Sequence, residues 1–168
     1  MNFPRFLPAF VPSLAVLLLA AVTHAAPPAP APVIAQLLTN PGFEQELAGW
    51  TVAENDAPMS TVTASAARQG KLGLHINDAD AKLGSSVEST PLPVVPGRSY
   101  RVSLYARAPG ATNGCGIYLR FRNDLQRLIP APPATGSIPA HASDWTAIEF
   151  ETVAPADAAL ISVWIHSY

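Results

Sequence analysis

Strict alternation of apolar and polar side chains over two long stretches constrains this chain most. Between residues 98 and 107 every second side chain is apolar, and the same holds between residues 115 and 122. A period of two is that of a β-strand, whose successive side chains point to opposite faces. Each stretch therefore predicts a strand with one buried face. We expect the inward side chains to include Val102, Leu104, Ile117 and Leu119.

The rest of the chain after residue 50 consists of short runs of β-forming residues between clusters of turn residues. Alternation or β-forming composition predicts further strands at residues 60–65, 72–76, 85–89, 145–152 and 160–168. The prolines of residues 92–97 suit an edge or a corner, and Pro130–Ala142 is expected to be a long loop. No stretch has a helical period. The predicted fold class is all-β, an antiparallel β-sandwich.

The N-terminal residues 1–25 have the organisation of a secretory signal peptide. Arg5 supplies a positive charge, an apolar run follows, and small residues precede a cleavage site after Ala25. A retained membrane anchor needs about 20 continuous apolar residues, and Pro8 and Pro12 interrupt the run. We expect a secreted, cell-surface or periplasmic protein. Residues 26–35 form a Pro/Ala-rich linker, and residues 36–168 form the β-sandwich domain.

The balance of charge and the single cysteine exclude several classes of protein. The net charge is −2 and no run of Lys or Arg is present, so neither a nucleic-acid partner nor an anionic surface is implied. A chain with one cysteine cannot form an internal disulfide. Cys115 falls on a predicted strand, where we expect a buried small apolar residue.

Three segments together resemble carbohydrate-binding modules of families 4, 9 and 22. The first contains Asn40-Pro41-Gly42-Phe43-Glu44 and, after a short interval, Gly49-Trp50; the others run from Val95 to Ala108 and from Ser143 to Pro155. The resemblance implies a jelly-roll, galactose-binding-like sandwich that is not catalytic. It also implies a module that targets a secreted glycan-active protein, such as a glycoside hydrolase, to xylan, β-glucan or a cellulose-like chain.

Two further expectations follow from that resemblance. The family's final strand, with its acidic pair, does not follow Tyr168, so we expect a fragment of a longer protein with a catalytic domain downstream. Glu44, together with the backbone at Gly42, resembles the family's structural calcium site, although the acidic partner from the final strand is missing here. The alternative is that Glu44 caps its turn by hydrogen bonds.

The polar faces of the late strands combine aromatic rings with arginines and carboxylates, which is the composition that a sugar requires. Pyranose C–H faces stack on flat rings, and hydroxyl groups pair with charged donors and acceptors. The resembling family binds its ligand on this concave face. An alternative is that a loop or another domain covers the face, which would make the chain a structural or protein-interaction module of a cell-surface protein. The predicted carbohydrate-binding residues are Tyr105, Tyr118, Arg120, Glu149, Trp164 and His166.

The acidic residues do not predict catalysis. Glu149 and Glu151 share one strand face beside arginines, which keep carboxylates ionised, whereas glycoside hydrolysis needs one carboxyl group with a raised pKa. No nucleophile, zinc or phosphate-loop motif is present in the sequence. We expect a protein that is not an enzyme. Trp50 and Trp145, at the starts of strands, are expected to pack in the core.

Overall fold

The computed structural model describes residues 36–56, 58–80, 82–110, 114–130 and 134–167, and these contain ten β-strands and two short 3₁₀ turns. The predicted signal peptide and the whole predicted linker lie outside the described residues, as does Tyr168. The strands are β1 Trp50–Val52, β2 Ser60–Thr63, β3 Gly73–Ile76, β4 Ser86–Ser89, β5 Leu92–Pro93, β6 Ser99–Ala106, β7 Cys115–Arg122, β8 Ala134–Ile138, β9 Thr146–Val153 and β10 Leu160–Ser167.

All strand pairs in the described residues are antiparallel, and the strands form one large sheet and two smaller ones. The large sheet has the order β1-β4-β10-β7-β8, with β5 beside one end of β10. β6 pairs with β9 along their whole length, and β2 pairs with β3. The all-β sandwich predicted from the alternating pattern is confirmed.

The core lies between the large sheet and the β6–β9 pair. The large sheet contributes Ile117, Phe121 and Val163, and the β6–β9 pair contributes Val102 and Ile148. The core side chains alternate along their strands, so one face of each sheet points into the core and the other points outward. Burying one such aliphatic side chain contributes about 1.5–3 kcal/mol.

The apolar pair Leu37 and Leu38 would by its sequence suit a short strand, but the segment that precedes β1 is a series of turns. Asn40 organises these turns. Its side-chain amide donates to the backbone carbonyl oxygens of Glu46 at 2.8 Å and Ala48 at 3.1 Å. Its backbone carbonyl oxygen accepts from the indole N–H of Trp50 at 3.1 Å. Trp50 is only 9% exposed, which confirms its predicted place in the core.

The loop predicted from Pro130 to Ala142 contains strand β8, which pairs with β7. The middle of this strand, Thr135-Gly136-Ser137, has no large apolar residue because it lies close to β9. A Cβ atom at Gly136 would lie 2.6 Å from Cγ2 of Ile148, so only glycine fits there without a shift. The loop prediction was wrong because a strand of small residues has no apolar alternation.

Candidate functional site

The outer face of the large sheet gathers a compact set of aromatic and charged side chains. On β10, Trp164 is paired with Glu88 of β4 on one side and with Tyr118 of β7 on the other. Directly paired residues of antiparallel strands point to the same face, so the three side chains lie side by side. We call this surface the Trp164 face. It consists of Glu88, Tyr118, Arg120, Arg122, Trp164 and His166.

The rings of this face form a continuous cluster. The centroids of Tyr118 and Trp164 are 5.0 Å apart with the rings tilted by 39°. Trp164 and His166 are stacked at 4.6 Å with an interplanar angle of 17°. The guanidinium carbon of Arg120 lies 3.5 Å from the centroid of the Trp164 ring, which is the geometry of a cation–π contact.

Both faces of the Trp164 indole are therefore covered by the protein itself. His166 lies two residues after Trp164 on β10, whereas Arg120 is paired with Ser162, two residues before it. The imidazole and the guanidinium thus approach the indole from opposite directions along the strand. A ligand that stacks on the indole has to replace one of them.

Glu88 is the electrostatic centre of the Trp164 face. Its carboxylate accepts hydrogen bonds from Arg122 at 2.8 Å, from Arg120 at 3.2 Å and from the Ser162 hydroxyl at 2.6 Å. Burial by itself would raise the pKa of Glu88, but the hydrogen bonds from Ser162 and Arg122 and the charges of the two arginines hold the pKa below its usual range. Glu88 is therefore an anchor for the arginines and is unsuited to act as an acid.

His166 is fixed by the backbone of the neighbouring strand. Its Nδ1 lies 3.0 Å from the carbonyl oxygen of Ser85 and 3.1 Å from the hydroxyl of Ser86. A carbonyl oxygen only accepts, so Nδ1 carries a proton. The imidazole plane is thereby held against Trp164.

Two depressions flank the central pair of Arg120 and Trp164. One, of about 490 Å³, is lined mainly by polar and charged residues, among them Glu88, Arg122 and Gln126, and we call it the polar depression. The other, of about 420 Å³, is mostly apolar and is lined by residues that include Tyr118, Leu128, Ile129 and Pro130. Both volumes fall in the range of small-ligand sites, about 300–1,000 Å³. The face thus offers an apolar and a charged contact on either side of one indole.

The structure brings together four of the six predicted carbohydrate-binding residues: Tyr118, Arg120, Trp164 and His166. The shared face predicted for all six is wrong for Tyr105 and Glu149, because these lie on the β6–β9 pair. The inward faces of the two layers meet in the core, so their outward faces point away from each other.

Tyr105 and Glu149 have partners of their own on the opposite layer. The guanidinium of Arg68 lies 3.5 Å from the Tyr105 ring centroid, and Glu149 forms a 3.1 Å ion pair with Arg101. The same arginine reaches Glu151 at 3.1 Å. These contacts are those of a solvated sheet surface.

The sequence-based site omitted Glu88, although its signal was present. Val87 is fully buried, so the alternation of the short strand β4 places Glu88 on the outer face. A lone carboxylate in a strand of four residues is a weak pattern by itself. Its importance lies in the register with Trp164 and in the two arginines of β7, and neither is visible in β4 alone.

Glu44 lies against the turn before β3. Its carboxylate accepts hydrogen bonds from the backbone N–H groups of Lys71, at 2.9 and 3.1 Å, and of Leu72, at 3.1 Å. Converging N–H donors make a surrounding that favours an anion rather than a cation site. Gly42 lies in the preceding turn, and the described ranges contain no cluster of three or more His, Cys, Asp or Glu side chains that could hold a metal ion. The donor set seen here does not fit calcium and matches the turn-capping alternative.

Within the part of the chain that the structure describes, no helix is long and apolar enough to cross a membrane.

Cys115 is on a strand as predicted, half-buried at the start of β7, and burial raises the pKa of its thiol to about 11. The predicted core position of Trp145 is wrong, because this residue is only partly buried and lies outside the core cluster, with the guanidinium of Arg107 at 5.0 Å from its ring.

Solved structures of similar fold come from glycan-binding and phage proteins. The enzymatically active domain of tailspike protein 4 from bacteriophage CBA120 has a TM-score of 0.63 at 14% identity, over 77% of this chain and 19% of that one. The family 16 carbohydrate binding module-2 has a TM-score of 0.59 at 14% identity, over 79% of this chain and 88% of that one.

The structure of the CBM22-1 and GH10 modules of endo-1,4-β-D-xylanase 10B from Clostridium thermocellum, complexed with xylohexaose, has a TM-score of 0.54 at 20% identity. The match covers 75% of this chain and 24% of that one, so the chain spans about a quarter of the xylanase structure and about a fifth of the tailspike. At these identities the similarity shows a common fold. No curated protein matches the chain in sequence.

The family itself is shown by a match to the sequence profile of the carbohydrate binding domain of families 4 and 9. The match extends over residues 35–165, which includes β1 to β9 and all but the last two residues of β10. The chain therefore belongs to this carbohydrate binding domain family, with the galactose-binding-like jelly-roll fold.

Proposed function

We propose that the chain binds polysaccharide on the Trp164 face and thereby holds a glycan-active protein at its substrate. The observation that carries the proposal is the cluster of Tyr118, Trp164 and His166, whose neighbouring rings lie within 5.0 Å of each other beside Arg120. A sheet face that serves only as a solvated surface rarely presents such rings. Family membership makes the chain a non-catalytic binding module, and the face is where this binding takes place.

Stacking and hydrogen bonding divide the work on this face. A pyranose ring packs on Tyr118 and reaches the indole of Trp164 by replacing the guanidinium of Arg120. That side chain is long and is held to Glu88 by one 3.2 Å hydrogen bond, so its guanidinium tilts off the indole, stays beside Glu88 and donates to the sugar. The apolar wall at Leu128 and Ile129 contacts the C–H surface of the neighbouring sugar.

A structural module without glycan affinity is the second candidate, and one observation favours it. Both faces of Trp164 are already covered, by Arg120 and His166. Side chains that already contact one another in this way would also stabilise an outer face that binds no ligand. The two candidates differ in what happens when the indole is removed.

The test is affinity electrophoresis of the protein in gels that contain xylan, β-glucan or a soluble cellulose derivative. We expect retardation by at least one of them, and Trp164→Ala should weaken it by roughly tenfold or more, since stacked rings contribute about 0.5–1.5 kcal/mol beyond their buried area. Tyr105→Ala is the matched control, because it removes an aromatic ring from the opposite layer and should leave retardation unchanged. Circular dichroism establishes that each variant is folded.

Two outcomes contradict the assignment. If no glycan retards the folded protein, the structural module is the better account. If Tyr105→Ala weakens retardation as much as Trp164→Ala does, binding is not on the Trp164 face.

Export and targeting belong to the same proposal. Residues 1–25 direct secretion, so the mature protein begins at Ala26, and N-terminal sequencing of the secreted form would disprove this if it began elsewhere. A bound module raises the local concentration of a linked hydrolase on the polymer. Fused to a xylanase catalytic domain, the chain should speed hydrolysis of insoluble xylan and leave the rate on short xylo-oligosaccharides unchanged; an equal effect on both would rule out targeting.

A further inference from the structure

The polar depression beside Trp164 carries more positive than negative charge. Its charged lining residues are Glu88, Arg120 and Arg122, which gives a local net charge of +1. The chain as a whole has a net charge of −2, so this excess is a local property of the groove and not a consequence of a basic protein.

The single carboxylate of the groove is already fully used. Both oxygens of Glu88 accept hydrogen bonds, Oε1 from Arg122 and Ser162 and Oε2 from Arg120. Each guanidinium has five N–H donors and spends one of them on Glu88. The buried Nε of Arg122 has no hydrogen-bond partner among the described residues. The arginines therefore retain donors that Glu88 cannot satisfy.

Partial burial of these side chains strengthens the interactions of the excess positive charge. The side chains of Arg120, Arg122 and Glu88 are 26%, 21% and 24% exposed, respectively. Charges that are partly withdrawn from water interact more strongly than charges on an open surface and are screened less by salt. An anion that enters the groove thus gains more here than beside an exposed arginine such as Arg101.

The spacing of the two guanidinium groups suits a carboxylate. They already reach the two different oxygens of one carboxylate, that of Glu88. A planar guanidinium that bonds one carboxylate along one edge presents its remaining N–H groups along the others. A second carboxylate on the open side of the groove meets the same two guanidinium groups through N–H donors that are not bonded to Glu88.

We propose that the glycan bound on the Trp164 face is acidic, and that Arg120 and Arg122 bind the carboxylate of a uronic acid residue in the polar depression. This inference rests on the proposed function, because it names the class of glycan for that same site. The neighbouring sugar lies on the aromatic rings, and the uronic acid lies over Glu88 in the depression.

The experiment compares each acidic polysaccharide with its own neutral counterpart. Binding of the protein to glucuronoxylan and to polygalacturonate is measured by isothermal titration calorimetry, with each polymer in its native form and after chemical reduction of its carboxyl groups. We expect at least one native polymer to bind about tenfold more tightly than its reduced form, the size of effect that charge-assisted hydrogen bonds produce. The difference should shrink as salt is raised.

Two variants locate the effect. Arg122→Gln should lower affinity for the native polymer to that of the reduced one, while affinity for the reduced polymer changes little. Arg101→Gln removes the same charge from the opposite layer and should change neither. If Arg122→Gln does not fold, Arg122→Lys keeps the charge but loses the planar fork, and it should lose most of the preference. The comparison of native with reduced polymer needs no variant.

The possible failures are distinguishable. Equal affinity for native and reduced polymers overturns the carboxylate inference and leaves the proposed function intact. Tighter binding of dextran sulfate than of either uronic polymer would replace the carboxylate by a sulfate as the recognised oxyanion and overturn the inference in its stated form. The absence of binding to any polymer, neutral or acidic, overturns the proposed function as well.

Discussion

A single residue, Trp164, is central to ligand binding on the Trp164 face. In the free protein its indole is in contact with a cation on one face and with an imidazole on the other. The cation–π contact is worth about 0.5–1 kcal/mol at exposed sites, which a stacked pyranose and the hydrogen bonds of a displaced Arg120 can offset. The ring is therefore held rigid before the ligand arrives, and little side-chain entropy is lost on binding.

Glu44 offers a test at the same scale of whether a carboxylate caps a turn or binds calcium. Glu44→Gln removes the charge that accepts three N–H hydrogen bonds from Lys71 and Leu72, and we expect a loss of about 1–3 kcal/mol in the free energy of unfolding. The loss should be the same in excess calcium and in EDTA, measured by urea denaturation. Glu54→Gln, in an exposed 3₁₀ turn, is the matched control. A loss that appears only when calcium is present would show that Glu44 is a metal ligand.

At the scale of elements, sequence alternation was sufficient for the four long strands β6, β7, β9 and β10. Each has eight residues, so a period of two is repeated often enough to be recognised. It was insufficient for β8, whose small residues leave room for Ile148 and Phe150 of β9. The requirement for small residues arises from a neighbour in space, which a local pattern does not contain.

The contact between the second 3₁₀ turn, Ala64–Ala66, and β3 is a second close approach of this kind, and it yields a prediction. A Cβ atom at Gly73 would lie 2.1 Å from the carbonyl oxygen of Ala66. Because that neighbour is backbone, Gly73→Ala should destabilise the protein by about 1–3 kcal/mol. Gly110→Ala, where a Cβ atom meets nothing within 4 Å, should have little effect in the same urea titration. Equal stability of the two variants would mean that the turn yields without cost.

At the scale of the whole molecule, the site depends on which strands are neighbours. The period-two rule correctly placed Tyr118, Arg120, Trp164 and His166 on an outer face, and it placed Tyr105 and Glu149 on an outer face too. It did not say that the molecule has two such faces. Strand pairing joins residues far apart in the chain, as β4 and β10 do, and alternation within one strand carries no information about the partner.

The pH dependence of folding is the remaining whole-molecule consequence, and it is centred on Glu88. Its pKa is lowered in the folded protein, so the ionised carboxylate stabilises the fold above the ordinary value near 4.5, and this contribution is lost as the pH falls through the folded pKa. Ser162→Ala removes a 2.6 Å hydrogen bond to that carboxylate and moves its pKa back upward.

We therefore expect Ser162→Ala to cost about 1–3 kcal/mol at pH 7 and less at an acidic pH below the folded pKa of Glu88, where the carboxyl group is protonated in both proteins. Urea denaturation at the two pH values measures this. Ser103→Ala, on the exposed face of β6, should be close to neutral at both. A cost of Ser162→Ala that does not change with pH would show that the hydroxyl contributes only by filling space, and that the arginines alone keep Glu88 ionised.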